Sequence, residues 1–247
     1  TLEEPMKNIS SVSDPKQTLP ILGNTLFQIK NRKLTLSSSD LEVEVCYTCD
    51  VDVDVDVSST IPSRKFTDIL KSLESSETSL EFQDSSVVIK GGKSRFKVST
   101  LPASDFPVFD TGEVSELKIE ANKLTELVNK TSFSMGYQDA RHFLNGLYLE
   151  ITDTSLTAVA TDGHRLALSE TEASNLTTSN ACIIPRKCIS ELKRILTTDV
   201  NNKEDLITIG IATSVRTKWA IQLVLISVAV ILLVKIVLKL LEIASLK

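Results

Sequence analysis

Histidine occurs twice, cysteine four times and glycine eight times in 247 residues. Two histidines leave little material for histidine-based catalysis, and no G-x-S-x-G elbow offers a nucleophilic serine. Four cysteines are far too few for a disulfide scaffold. Scarce glycine, with 42% hydrophobic and 24% charged residues, excludes collagen-like and disordered chains. The net charge is −5, that of a mildly acidic chain. The first residues, TLEEPMKNISSVSD, hold neither a basic nor an apolar stretch. No signal peptide is therefore read there, and a reduced, cytoplasmic setting is the expectation.

Motifs with a chemical look lead nowhere on inspection. Cys46 and Cys49 form a C-x-x-C, but an odd separation on a strand sends the two thiols to opposite faces. Cys182 and Cys188 are distant, so neither a zinc site nor a redox pair is expected. The series DVDVDVDV over 50–57 lacks the glycine and the twelfth-position glutamate of a calcium loop. Its period-two alternation predicts a strand with valines on one face and aspartates on the other. Asp162 and His164 have no nucleophile beside them. Gly91-Gly92 reads as a turn between strands. No catalytic residue, metal set or cofactor is expected.

What is present is a repeat. The segment LPILGNTLFQIKNRKLTLSSSDLEVEV begins at Leu19, and RHFLNGLYLEITDTSLTAVATDGHRLAL begins at Arg141. Leu22 matches Leu144 and Asp40 matches Asp162, each 122 residues apart, and IPSRK at Ile61 matches IPRK at Ile184, 123 apart. Three landmarks at a nearly constant offset imply two homologous domains of about 120 residues. The boundaries read as 1–112, 113–218 and an apolar tail, 219–247. Alternation at Leu34, Leu36, Val43 and Val45, at Leu80 and Phe82, at Val87 and Ile89, and at Phe96 and Val98 predicts half-buried strands. Helical spacing of Phe66, Ile69, Leu70 and Leu73 predicts a helix over 62–73. Ile189, Leu192, Ile195 and Leu196 predict another over 185–196. Further helices are expected over 121–131 and 2–12. The fold class is α+β: a mostly antiparallel sheet with two helices packed on one side, twice over.

The helices carry cations opposite their apolar faces: Arg64, Lys65 and Lys71; Lys123 and Lys130; Arg186, Lys187, Lys193 and Arg194. Acids concentrate in strands and loops. Basic helix faces on an acidic chain suit contact with a polyanion, although helices commonly show charge to water.

Seven strings carry a resemblance. They are TLPILGN (18–24), SSSDLEVEV (37–45), IPSRKFTDI (61–69), GKSRFKVSTLPASDFP (92–107), FSMGYQDARHFLNGLYLE (133–150), VATDGHRLAL (159–168) and IIPRK (183–187). In this order and spacing they resemble the bacterial sliding clamp family, the beta subunit of DNA polymerase III, over about residues 2–218. The resemblance implies tandem clamp-type domains with sheets outside and helices inside. Chains of that kind close head to tail, as a homodimer, around double-stranded DNA. They serve the polymerase as a processivity factor, a non-catalytic subunit grouped with the nucleotidyltransferase holoenzyme.

It implies DNA contact by the helix cations named above and by Lys16, just before TLPILGN. It also implies contact by a loop of Tyr137, Gln138, Asp139, Arg141, His142 and Phe143, where His142 departs from the family's usual aromatic. A groove for short linear peptides of polymerase and clamp-loader subunits falls on Leu144, Thr161, Gly163, His164, Arg165 and Leu166.

The family has three domains per chain. On that pattern a third copy would begin near residue 240, the F-P-D-Y stretch after domain two is missing, and the chain starts inside its first helix. The tail WAIQLVLISVAVILLVKIVLKLLEIASLK admits three readings: a membrane anchor, a buried continuation, or a non-native continuation of a truncated or frame-disrupted chain. The resemblance favours the last. The uncharged run over 219–234 is 16 residues, short of the roughly 20 that a spanning helix needs. A membrane-anchored, non-enzymatic binding module is the alternative function.

Overall fold

The computed structural model describes residues 2–13, 19–53, 55–73, 77–108, 114–173, 180–198, 205–214, 217–225 and 234–238. The chain divides into two compact units. The first is Thr1–Phe109 with Ile231–Val234, and the second is Asp110–Val230 with Lys235–Lys247.

In the first unit, α1 (Glu3–Ile9) precedes strands β1 (Asn24–Lys30), β2 (Lys33–Ser39), β3 (Val43–Asp50) and β4 (Val57–Pro62). These pair antiparallel in the order β4-β1-β2-β3. Then come α2 (Ser63–Ser72) and a second antiparallel sheet, β5 (Ser79–Gln83), β6 (Ser86–Gly91) and β7 (Ser94–Ser99). Asn31 and Arg32 both have positive φ between β1 and β2, the two-residue geometry that matches strand twist. Phe27 ties the unit together. Its ring meets Phe66 of α2 edge-on at 5.7 Å and Phe82 of β5 at 5.9 Å. Met6, Ile9, Leu36, Ile61 and Ile89 complete a core of fully buried side chains. Burial of this kind yields about 1.5–3 kcal/mol per large side chain.

The second unit starts with β8 (Val114–Glu120) and α3 (Ala121–Thr131). Strands β9 (Gly146–Ile151), β10 (Ser155–Thr161), β11 (Leu166–Glu172) and β12 (Asn180–Pro185) follow, then α4 (Arg186–Thr198). Their order, β12-β9-β10-β11, repeats that of the first unit strand for strand. The strands β13 (Leu206–Ser214) and β14 (Thr217–Leu225) pair antiparallel, and β8 pairs with the other edge of β13. A last strand, β15 (Val234–Leu238), neighbours β14. Leu124, Leu127 and Val128 of α3 and Cys188, Ile189, Leu192 and Ile195 of α4 are buried, so the helical spacing in the sequence identifies the inward faces.

Two expectations need correction. The DVDVDVDV series is not a strand: β3 ends at Asp50, β4 begins at Val57, and the described residues between them are irregular. Val53 and Val55 are exposed. Period-two alternation needs a neighbouring strand to become a strand, and here the chain is instead drawn back by Val51 N–H on Arg32 O and by the Arg32–Asp52 ion pair. The described tail is also strand where a membrane-type helix was one reading, with Ala220 opposite Ala212 and Leu223 opposite Ile209. No helix among the described residues is long and apolar enough to cross a membrane. Residues 226–233 and 239–247 lie outside the described residues.

Candidate functional site

One turn appears in both units. In the second unit Asp162 Oδ1 accepts the amides of His164 and Arg165 at 2.9 and 3.0 Å, and the Gly163 amide donates to Thr161 Oγ1 at 3.1 Å. In the first unit Asp40 Oδ1 accepts from Glu42 and Val43 at 2.9 and 2.7 Å, and the Leu41 amide donates to Ser39 Oγ at 3.1 Å. Gly163 sits at φ +88° and Leu41, its counterpart, at φ +74°. Glycine enters that region freely, whereas leucine does so at a cost of about 1–2 kcal/mol.

The turn of the second unit presents most of the predicted groove residues. His164 and Arg165 are exposed, and Leu166 at the start of β11 is 63% exposed. Thr161 Oγ1 donates to Arg165 O at 2.7 Å, closing the turn. Arg165 donates to Asp162 Oδ2 at 2.9 Å and to Phe133 O at 3.0 Å, with its guanidinium 5.7 Å from the Phe133 ring centre. Leu144 is buried beneath the surface. Sequence reading missed two side chains: Leu168, 61% exposed, and Phe133, 57% exposed. Leu168 was findable, because Leu166 and Leu168 stand two apart on one strand and so share a face. Leu166 and Leu168 on one strand face give this turn an exposed apolar rim, the kind of feature that marks a contact surface.

The predicted nucleic-acid loop lies in the same unit. Tyr137, 73% exposed, stands with Gln138, Arg141, His142 and Phe143 at the surface. The loop is cross-braced. Gly136 N–H donates to Leu144 O at 2.8 Å. The Asn145 side chain accepts from Asp139 N–H at 3.0 Å and donates to Asp139 O at 2.9 Å. Arg141 grips both Asp139 oxygens, at 3.0 and 2.9 Å. Those bonds hold the Asp139 carboxyl down at about 2. The amides of His164 and Arg165, with the Arg165 guanidinium, hold Asp162 at about 2. Burial pushes the Cys182 thiol up to about 12, which leaves it no nucleophilic thiolate at neutral pH.

The helix cations divide by unit. Arg64, Lys65 and Lys71 on α2 are exposed, with no ion pair among the described residues. On α3, Lys123 pairs with Glu120 and Lys130 with Glu126. On α4, Arg194 forks onto Glu191 at 3.0 and 2.9 Å, Lys193 Nζ reaches Ser132 Oγ at 3.3 Å, and Lys187 is half-buried and engaged. Arg186 turns away from the outward face expected of it and donates to the carbonyls of Gly136 and Met135. Lys16 lies outside the described residues.

Comparison with known proteins gives one answer. The family model for the DNA polymerase III beta subunit, N-terminal domain, matches residues 1–110, and that for its central domain matches residues 118–231. The chain is 40% identical to the beta sliding clamp of Pseudomonas putida over 200 residues and 38% identical to that of Escherichia coli K12 over 198. Each alignment covers 79% of this chain and 54% of the relative, so the chain spans about half the length of the curated relatives it matches. Among solved structures, the Pseudomonas aeruginosa sliding clamp bound to griselimycin superposes with TM-score 0.84 at 33% identity, over 98% of this chain and 62% of that one. The Caulobacter crescentus DNA polymerase sliding clamp superposes with TM-score 0.84 at 29% identity, over 100% and 65%.

Proposed function

Because the chain belongs to the DNA polymerase III beta subunit family, the bacterial sliding clamps, we propose that it serves as a processivity factor that holds a DNA polymerase on duplex DNA. The observation that carries this reading is the duplicated module, identical in strand order and in its Asp-held turn, across which the two domain models of that family fall. We take 1–112 and 113–218 as the two clamp domains. Bond making belongs to the polymerase, so the nucleotidyltransferase grouping describes the holoenzyme and not this subunit. The setting is the cytoplasm, and the head-to-tail homodimer belongs to the family, whose three-domain chains close the ring. Sliding requires weak, sequence-independent attraction to phosphate, which surface cations separated from DNA by water supply. Arg64, Lys65 and Lys71 are the cations best placed for it, being exposed and without an ion pair among the described residues.

The test is binding of duplexes of unrelated sequence across roughly 50–200 mM salt. Wild type is expected to bind them alike and with steep salt dependence. Replacing Arg64, Lys65 and Lys71 together by Glu should make the slope of log K against log salt shallower by about two to three. An unchanged slope overturns the assignment of those cations.

The second surface, Leu166 with His164 and Arg165, takes short apolar peptides of polymerase and clamp-loader subunits. Griselimycin, which the Pseudomonas aeruginosa clamp binds, is the probe. Leu166→Asp should weaken it at least about tenfold, the scale of one apolar anchor. Equal binding to the variant removes the surface from the proposal.

A further inference from the structure

Arg186 opens α4, and its fork is engaged within three consecutive residues. Nε donates to Gly136 O at 3.0 Å, Nη2 donates to Met135 O at 2.7 Å, and the guanidinium carbon stands 5.7 Å from the Tyr137 ring centre. Helical side chains lean toward the helix N-terminus, so a first-turn residue covers whatever lies before the helix rather than its outer flank. The same position in the first unit is Ser63, which is buried and bonded to Thr25 Oγ1 at 2.8 Å. The first residue of this helix therefore serves the interior of its own domain in both copies. In the second unit, what it serves is the start of the aromatic loop, whose far end returns to Gly136 through Leu144 O.

We propose that Arg186 is a positioning residue that fixes 135–137 so that Tyr137, Arg141 and Phe143 meet nucleic acid together, and that it neutralises no phosphate itself. The inference rests on the duplex-binding reading above and deepens it. A planar fork bonded to two carbonyls and set over a ring cannot be replaced by the point charge of a lysine, whereas a phosphate contact can.

That asymmetry sets the experiment, done with the full chain. Duplex binding is measured against salt for wild type, Arg186→Lys and Arg186→Gln, with hydrogen exchange at the Gly136 amide as a second readout. Both variants are expected to lose about five- to tenfold in affinity, the worth of one aromatic contact, with the salt slope unchanged. Gly136 exchange should accelerate at least about tenfold, while core amides of β1 and β2 keep their protection. Adding Tyr137→Ala to Arg186→Lys should cost little more than either alone. The proposal is overturned if Arg186→Lys keeps wild-type binding while Arg186→Gln flattens the slope by about one. It is also overturned if Gly136 exchange does not change in either variant. Absence of salt-dependent binding by wild type would instead remove the duplex reading, and Gly136 exchange would still decide whether Arg186 holds the loop.

Discussion

The two units run one topology with different chemistry at matched positions. At the head of the second helix, Ser63 closes a small hydroxyl network with Thr25 and Ser38, whereas Arg186 reaches across to a loop. Along the helices, the cations of α2 are exposed with no ion pair among the described residues, whereas those of α3 and α4 are mostly tied to Glu120, Glu126, Glu191 or Ser132. In the core, the aromatic Phe27 and Phe66 stand where Leu149 and Ile189 stand in the second unit. A net positive helix in a sequence is thus not one thing: among the described residues its cations are unpaired in one copy and internally engaged in the other. Duplication preserves the backbone and leaves the side chains free to specialise.

The comparison can be broken first at the core. Phe27→Ala should cost about 3–5 kcal/mol, at the upper end because one ring joins α2 and both sheets of its unit. Leu149→Ala, at the matched position, should cost less, about 2–4 kcal/mol. Hydrogen exchange resolved by residue is the measurement, since two units need not unfold as one. Equal losses would mean the aromatic cluster adds nothing beyond its burial.

The shared turn provides the next test. Gly163→Leu should destabilise the second unit by about 1–2 kcal/mol, since leucine resists positive φ. A side chain there also meets the Arg141 guanidinium, 2.9 Å from where its Cβ would stand. Leu41→Gly should be neutral to stabilising by about 0.5 kcal/mol, as strain relief offsets the entropy of glycine. Chemical denaturation of the reciprocal pair checks both, and a destabilised Leu41→Gly would show that the exposed leucine earns its place by packing.

Acid should act on the second unit through Asp139 and Asp162. Both carboxyls are held below their ordinary 3.8, at about 2. Depressed folded values mean that their contribution is present above about pH 4 and lost as pH falls toward 2. Carboxyl resonances titrating near 2, with loop amides exchanging faster below pH 4, are the expected result. Midpoints near 3.8 would show the Arg141 and Arg165 bonds to be transient.

The smallest effect belongs to the exposed pairs on α3. Lys130→Ala and Lys123→Ala should each change stability by less than about 0.5 kcal/mol, because water screens such pairs. Their effect on duplex binding should also be smaller than that of the α2 cations, which make no ion pair among the described residues.

Much of this was legible in the residues. The 122-residue offset predicted the duplicated topology, and helical spacing located α2, α3 and α4 to within a residue or two. It failed where a local pattern lacked its partner. The Asp50–Val57 alternation is as regular as any strand in the chain, yet only its ends pair, Asp50 with Lys33 and Val57 with Ile29, and the described residues between them join no sheet. Arg186 sits in a basic IPRK run, and only the direction in which a first-turn side chain leans takes it off the surface. Phe133 follows a helix end, where no periodicity says whether a ring turns in or out.

The Asp-held turn has a consequence for how such modules diverge. A carboxylate that clasps two successive amides can keep a left-handed corner closed even with a branched residue there, as at Leu41. Once the clasp rather than the glycine maintains the bend, that corner becomes an open slot. Any side chain tolerated in it changes what the rim displays without disturbing the hairpin beneath.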